Sequence, residues 1–302
     1  MRAEAPAHSP QSSDRSDPSL DDSVRTAAPE KRAKSAWRFL LLYYSIACAF
    51  AWIVWLPVIL GPAGMKVTRI AVSLPVFVSA GTFGPCAAAF ITHRVETGSW
   101  KAVNLLPHGW RWIWLLLGPF LVLFCFFFVF PAVITKGGPS AWHWHPMALA
   151  GIWAPMLNYN LFGGPLFEEF GWRGYLQPRL QNLLPSWIAA VCVGVLWALW
   201  HFPLFLVGWS SSSPLVFVFI MTGLSVVMAA AFNASGQAVL VPIMMHSSFN
   251  SSSRFLPAFL GDVPTREHPS VAAFIGISFL IVAAAAIACT RGRIFRNSGS
   301  GE

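Results

Sequence analysis

The sequence predicts an all-α, polytopic membrane protein, with about eight transmembrane helices enclosing an intramembrane polar cavity. Three observations lead there. The 302-residue chain is 56% apolar and only 11% charged, against about 25% charged in a typical soluble domain. From Trp37 onward, apolar stretches of about 20 residues, the length that crosses a bilayer, follow one another. The carboxylates are also unevenly placed. Six of the twelve lie in the first thirty residues (Glu4, Asp14, Asp17, Asp21, Asp22, Glu30), and between Lys31 and Gly261 only Glu96, Glu168 and Glu169 occur.

The elements follow in chain order. Residues 1–34 are rich in Ser, Pro, Asp and Ala, have little to bury, and read as a disordered tail. No apolar signal-like core precedes Trp37, so the first span is expected to direct insertion itself. A membrane domain is expected over 35–292, with spans near 37–60, 70–92, 112–134, 150–176, 186–208, 214–233, 236–257 and 270–290. A short tail, 293–302, follows. Gly61-Pro62, Gly137-Gly138-Pro139 and the run from Ser210 to Pro214 punctuate the gaps, and Asn233 to Gly236 marks a tight turn. The five cysteines all lie in apolar runs without disulfide or zinc-ribbon spacing, and read as small apolar side chains.

Charge gives orientation. The basic residues sit in the hydrophilic gaps rather than on one face, so the net charge of +8 fits membrane flanks and not a nucleic-acid surface. With the N-terminus inside, the inner side collects Lys31, Arg32, Lys34, Arg38, Arg94, Lys101, Arg111, Arg173, Arg179, Arg291, Arg293 and Arg296. The outer side holds Lys66, Arg69, Lys136, Arg254 and Arg266. Both termini are therefore expected in the cytoplasm, and the cell membrane is the expected location.

An ionisable side chain at membrane depth costs roughly 2.5–3.5 kcal/mol, so those that persist point to function. In the later spans the inventory is Glu168, Glu169, Arg173, His201 and His246. Glu169 and Arg173 are four residues apart on one helix face, so Arg173 is expected to neutralise Glu169. Glu168 points about 100° away and lacks that partner, which suits a general base or acid. Gly163-Gly164-Pro165 interrupts the helix just before the pair. The same four-residue rule places His246 with Asn250 and Trp197 with His201, and Pro203 is expected to kink the chain beyond His201. A fourth helix running on to Pro178 or Arg179 would raise Glu168 roughly 16 Å into the membrane, level with both histidines.

Glu168-Glu169-x-x-x-Arg173, Trp197-x-x-x-His201 and His246-x-x-x-Asn250, in that order between Leu161 and Ser252, resemble the CPBP intramembrane proteases. That group includes the type II CAAX prenyl endopeptidases and Abi or bacteriocin-immunity homologues. The second motif of the family usually begins with Phe, where this chain has Trp197. The resemblance implies an eight-helix membrane endopeptidase acting on a membrane-tethered peptide or protein, such as a prenylated C-terminus. It implies that Glu168 and His201 activate a water, that His246 and Asn250 stabilise the oxyanion, and that Glu169 and Arg173 support the site.

Two histidines and a carboxylate, here Glu168, His201 and His246, are also a catalytic zinc ligand set. No His-Glu-x-x-His stands in the sequence, and Asn250 beside His246 reads as a donor pair, so metal-independent glutamate catalysis is the favoured expectation. No Gly-x-Ser-x-Gly offers a serine nucleophile. His143 and His145, between Trp142 and Trp144, read as interfacial residues rather than metal ligands. A non-catalytic membrane partner, an immunity-like protein or scaffold, is the alternative function. A transporter ranks below it, for want of an inverted repeat.

Overall fold

The computed structural model describes residues 18–100, 103–125, 163–210, 212–260 and 269–290, with side chains described within 34–100, 103–125, 163–210, 212–252 and 275–288. Every regular element among them is helical. Contacts divide the chain into Met1–Arg38 and Phe39–Glu302, and the site lies wholly in the second unit.

Helix α1 (Pro18–Leu60) contains the first expected span. It starts on a proline, whose missing N–H costs nothing in a first helical turn, and it takes in part of the segment that composition reads as a tail. Helices α2 (Leu74–Gly81) and α3 (Phe83–Thr97) meet at Thr82, whose hydroxyl donates to the Ser79 carbonyl at 2.6 Å. Gly98, at φ 73°, closes α3 in a left-handed cap that a side chain would strain. A 3-10 turn, Gly109–Ile113, leads into α4 (Trp114–Phe124).

The fourth expected span becomes visible at Gly163. Helix α5 (Pro165–Gly171) begins directly after the Gly-Gly pair, passes into a π-helical turn at Trp172–Leu176, and continues as α6 (Gln177–Gln181). Pro178 explains the irregular turn, because it has no N–H for the carbonyl four residues back and its ring crowds that carbonyl. The helix thus runs through the Glu pair and past Arg179, the extension that the depth estimate favours.

Helix α7 (Ser186–Trp200) ends at His201, and Phe202–Val207 tightens into a 3-10 turn around Pro203. Ser213 caps α8 (Pro214–Ala234) by accepting from the Val216 N–H at 3.3 Å. After a turn in which Gly236 and Gln237 both have positive φ, α9 (Leu240–Leu260) and α10 (Pro269–Thr290) follow.

Among the described residues, four helical stretches are long and apolar enough to cross a membrane: Lys34–Leu60, Leu74–Thr97, Ser186–Val207 and Pro214–Ala234. Gly109–Phe124 and Ile275–Ala288 are shorter apolar helices. Length and composition thus give an integral membrane protein. Parts of the expected third and fourth spans, 126–134 and 150–162, lie outside the described residues, as do His143 and His145.

Small residues set the packing. Helix α8 lies between α7 and α10. A Cβ on Gly194 would fall 2.5 Å from the Thr222 Cα, and one on Gly223 would fall 2.8 Å from the Phe279 Cβ. The helices therefore approach nearly backbone to backbone, as small residues permit where no water drives association. Ser225 adds a hydrogen bond across that seam, its hydroxyl donating to the Ala190 carbonyl at 2.8 Å. Helix α9 packs on α4, and α5 on α3.

Candidate active site

The polar groups read from the sequence come together. A cavity of about 320 Å³ is lined by Glu168, His201, His246 and Asn250, from α5, the end of α7, and α9. Trp55, Thr82 and Trp209 also reach it, and Phe217, Ile220, Met221, Phe249 and Ile275 form an apolar wall. Water at such a site would meet both dry hydrocarbon and a few fixed polar atoms, which is the usual make-up of a binding pocket.

Glu169 does not line the cavity; it lies behind. Its carboxylate is fully buried and accepts Nη1 of Arg173 at 2.9 and 2.7 Å, the pair expected from the four-residue spacing. It also accepts the Nδ1–H of His246 at 2.9 Å. One carboxylate therefore holds an arginine on its own helix and a histidine from α9. Removing either charge would leave the other buried and uncompensated, which is what makes such groups costly to break.

Glu168 has a partner that spacing did not reveal. Trp197 donates its indole Nε1–H to Glu168 Oε2 at 2.6 Å. The expectation that this carboxylate stands unpaired is thus corrected: the indole of Trp197 is its hydrogen-bond donor. The reason is that α7 brings an aromatic residue 29 positions away onto the same face of the site. Gly164, the N-cap of α5, has φ 151°, and a Cβ there would lie 2.8 Å from Glu168 Oε1. Glycine at 164 therefore serves both the helix start and the space over that oxygen.

Trp197 touches most of the other charged groups. The Arg173 guanidinium lies 4.7 Å over its ring, and the His246 ring meets it edge to face at 4.8 Å. Its backbone carbonyl accepts the His201 Nδ1–H at 2.9 Å. A carbonyl cannot donate, so Nδ1 carries the proton, and Nε2 is the nitrogen with which His201 can meet a ligand. Trp209 stacks on His201 at 5.2 Å and 14°, while Trp200 and Phe217 pack edge-on at 4.6 and 5.4 Å. This aromatic surround fixes the ring plane.

Helix α1 supports the motif helices from outside them. Tyr44 donates to the Leu196 carbonyl at 3.0 Å, Trp52 to the Trp200 carbonyl at 2.9 Å, and Trp200 to the Ala47 carbonyl at 3.1 Å. Sequence reasoning missed these residues, because an aromatic in an apolar span looks the same whether it faces lipid or a neighbour. Nor did it reveal His93, which sits buried near the C-terminal end of α3. Arg179, expected as a flank anchor, pairs with Glu96 at 2.6 Å and lies 3.0 Å from His93 Nδ1.

Among the described residues no group of three His, Cys, Asp or Glu side chains is placed to hold a metal ion. The Nδ1 atoms of His201 and His246 both face protein acceptors, which leaves the Nε2 of each ring for a ligand.

Residues 150–252 match the family described as type II CAAX prenyl endopeptidase Rce1-like, a family of peptidases. A stretch of 41 residues is 49% identical to CAAX prenyl protease 2 of Methanococcus maripaludis. That alignment covers 14% of this chain and 15% of the archaeal protein. The family match contains all three motifs, and with them every polar group that lines the cavity apart from Trp55 and Thr82 of the N-terminal helices. The resemblance drawn from those motifs therefore stands.

Proposed function

We propose that the chain is an intramembrane endopeptidase that hydrolyses a peptide bond in a membrane-associated peptide or protein, with a prenylated CAAX-type C-terminus as the first substrate class. The observation that carries this reading is the convergence of Glu168, His201, His246 and Asn250 on one cavity beside an apolar wall. In this reading Glu168, oriented with His201, takes a proton from water as the oxygen attacks the scissile carbonyl carbon. The carbonyl π electrons move to oxygen, and His246 Nε2–H and Asn250 donate to the resulting oxyanion. As the C–N bond breaks, the proton held by Glu168 passes to the leaving amine. Because His246 Nδ1 already donates to Glu169, donation from Nε2 calls for a doubly protonated ring with Glu169 as counterion. Arg173 and that imidazolium together carry two positive charges, which Glu169 and the Glu168 carboxylate balance.

The apolar wall suits a lipid chain attached near the scissile bond, and the reading needs no metal. In this reading the chain crosses the cell membrane in eight spans, the count taken from its apolar stretches, with both termini in the cytoplasm, as the distribution of Lys and Arg favours. The bilayer and the tethered substrate are its partners, and nucleic acid is not.

The test uses an internally quenched farnesylated CAAX peptide with the full chain in detergent micelles. Cleavage should fall by at least about 10²-fold in Glu168→Gln and in His201→Ala, as loss of a general base does, and should persist in a strong chelator. Full activity in both variants would overturn the assignment. Loss of activity on chelation, restored by zinc, would overturn its metal-free form.

A further inference from the structure

Trp197 makes two hydrogen bonds through two different parts of itself, and each goes to one of the groups assigned to activate water. Its side chain donates Nε1–H to Glu168 Oε2 at 2.6 Å, and its main-chain carbonyl accepts His201 Nδ1–H at 2.9 Å. Both are oriented by one residue that is itself fully buried. We propose that Trp197 is the positioning residue of the site, holding Glu168 through its indole N–H so that Oε1 is the oxygen that accepts the proton from water.

The geometry supports each part. A carboxylate free to rotate would present either oxygen; a donor at 2.6 Å engages Oε2 and fixes the plane of the group. The remaining oxygen lies over Gly164, where any side chain would intrude at 2.8 Å, and Gly163 beside it lines the cavity. On the histidine, engagement of Nδ1 leaves Nε2. A water meeting both partners therefore faces Glu168 Oε1 and His201 Nε2, the two atoms that Trp197 leaves unused.

The ring has a further task. Arg173 lies 4.7 Å over its face, and a cation there draws electron density from the indole and makes its N–H a better donor. Arg173 donates to Glu169, while Glu168 accepts from Trp197, so Trp197 links the guanidinium to the second carboxylate. Phenylalanine, which usually begins the second motif in the resembled family, can offer the ring face but not the N–H. The hydrogen bond to Glu168 is thus a property of this chain's residue type.

This inference rests on the protease reading, so the experiment separates the two. Trp197→Phe keeps an aromatic face for Arg173 and His246 and removes the N–H. Replacement of Trp197 by benzothienylalanine keeps the full ring outline and removes only the donor, which covers the case that Trp197→Phe does not fold. With the farnesylated quenched peptide, both changes should lower kcat about 10- to 100-fold with KM within about twofold, the pattern of a group that acts in the transition state. The pH–rate profile should be displaced from that of the wild type. In the Glu168→Gln background either change should cost nothing further, since Trp197 acts through that carboxylate. Wild-type kcat and an unmoved pH profile in the folded benzothienylalanine protein, with Glu168→Gln inactive, would overturn the inference and leave the protease reading in place. A fully active Glu168→Gln would overturn that reading, and the inference with it.

Discussion

The molecule contains the same three residue types, Glu, Arg and His, in two clusters, and the differences between them are instructive. In the first, the carboxylate of Glu169 is the centre, accepting from both Arg173 and His246, with no exposed surface on Glu169 or Arg173. In the second, the guanidinium of Arg179 is the centre. It donates to Glu96 Oε2 at 2.6 and 2.8 Å and lies 3.0 Å from His93 Nδ1, and Arg179 and Glu96 keep 20% and 24% of their side-chain surface. Since a guanidinium cannot accept, His93 Nδ1 must, whereas in the first cluster His246 Nδ1 must donate. The two histidines therefore carry their protons on opposite terms. Burial decides what each cluster is worth. Dry, it is a set of charges that cannot be separated cheaply; at a wet helix end, it is an ordinary tie between α3 and α6.

The comparison is most severely tested by breaking the buried cluster. Arg173→Met removes one of the two cationic donors on the buried Glu169 carboxylate and should cost about 3–5 kcal/mol of stability, measured by thermal unfolding in detergent. The double change Glu169→Met with Arg173→Met should recover most of that stability without recovering cleavage, because His246 has then lost its acceptor. Recovery of both would reduce the cluster to packing. A smaller effect is expected where the cluster's helix meets its neighbours. A Cβ on Gly171 would lie 2.6 Å from both the Pro85 carbonyl oxygen and the Tyr43 hydroxyl, so Gly171→Ala should push α5 from α1 and α3 at a cost of about 1–3 kcal/mol. An unchanged melting temperature would show that this seam yields freely. The smallest effect belongs to the outer cluster. Glu96→Gln should cost about 1 kcal/mol or less, diminish further with added salt, and leave cleavage intact. A loss as large as that of Arg173→Met would erase the distinction between the two.

What was legible in the sequence is what lies within one helix. Glu169 with Arg173, and Trp197 with His201, follow from the pitch of the α-helix alone, and the break at Gly163-Gly164-Pro165 follows from residue type. Partners on different helices were not legible. His246 reaches Glu169 across 77 positions and Trp197 reaches Glu168 across 29, and no local pattern sets the rotation of one span against another. Glu96 was hidden for a related reason. It lies outside the motifs, and its partner Arg179 looked like any basic residue at a membrane edge. The hydrophobic periodicity of the spans was equally silent about α1. Its inward face carries Tyr43, Ala47, Ala51 and Trp55 and its outward face Leu41, Ile53 and Leu56, and in lipid both faces can be apolar.

Helix α8 has a use beyond holding its neighbours. Its backbone is pressed against α7 on one side and α10 on the other, so Phe217, Ile220 and Met221 stand on a base that cannot shift when one of them is exchanged. That makes the wall adjustable in the way a gauge is. Trimming Met221 or enlarging Ile220 would alter how long or bulky a guest the cavity accepts while the carboxylate and both imidazoles keep their places. A small panel of such replacements, read against peptides bearing chains of graded length, would amount to a set of dies cut from one tool.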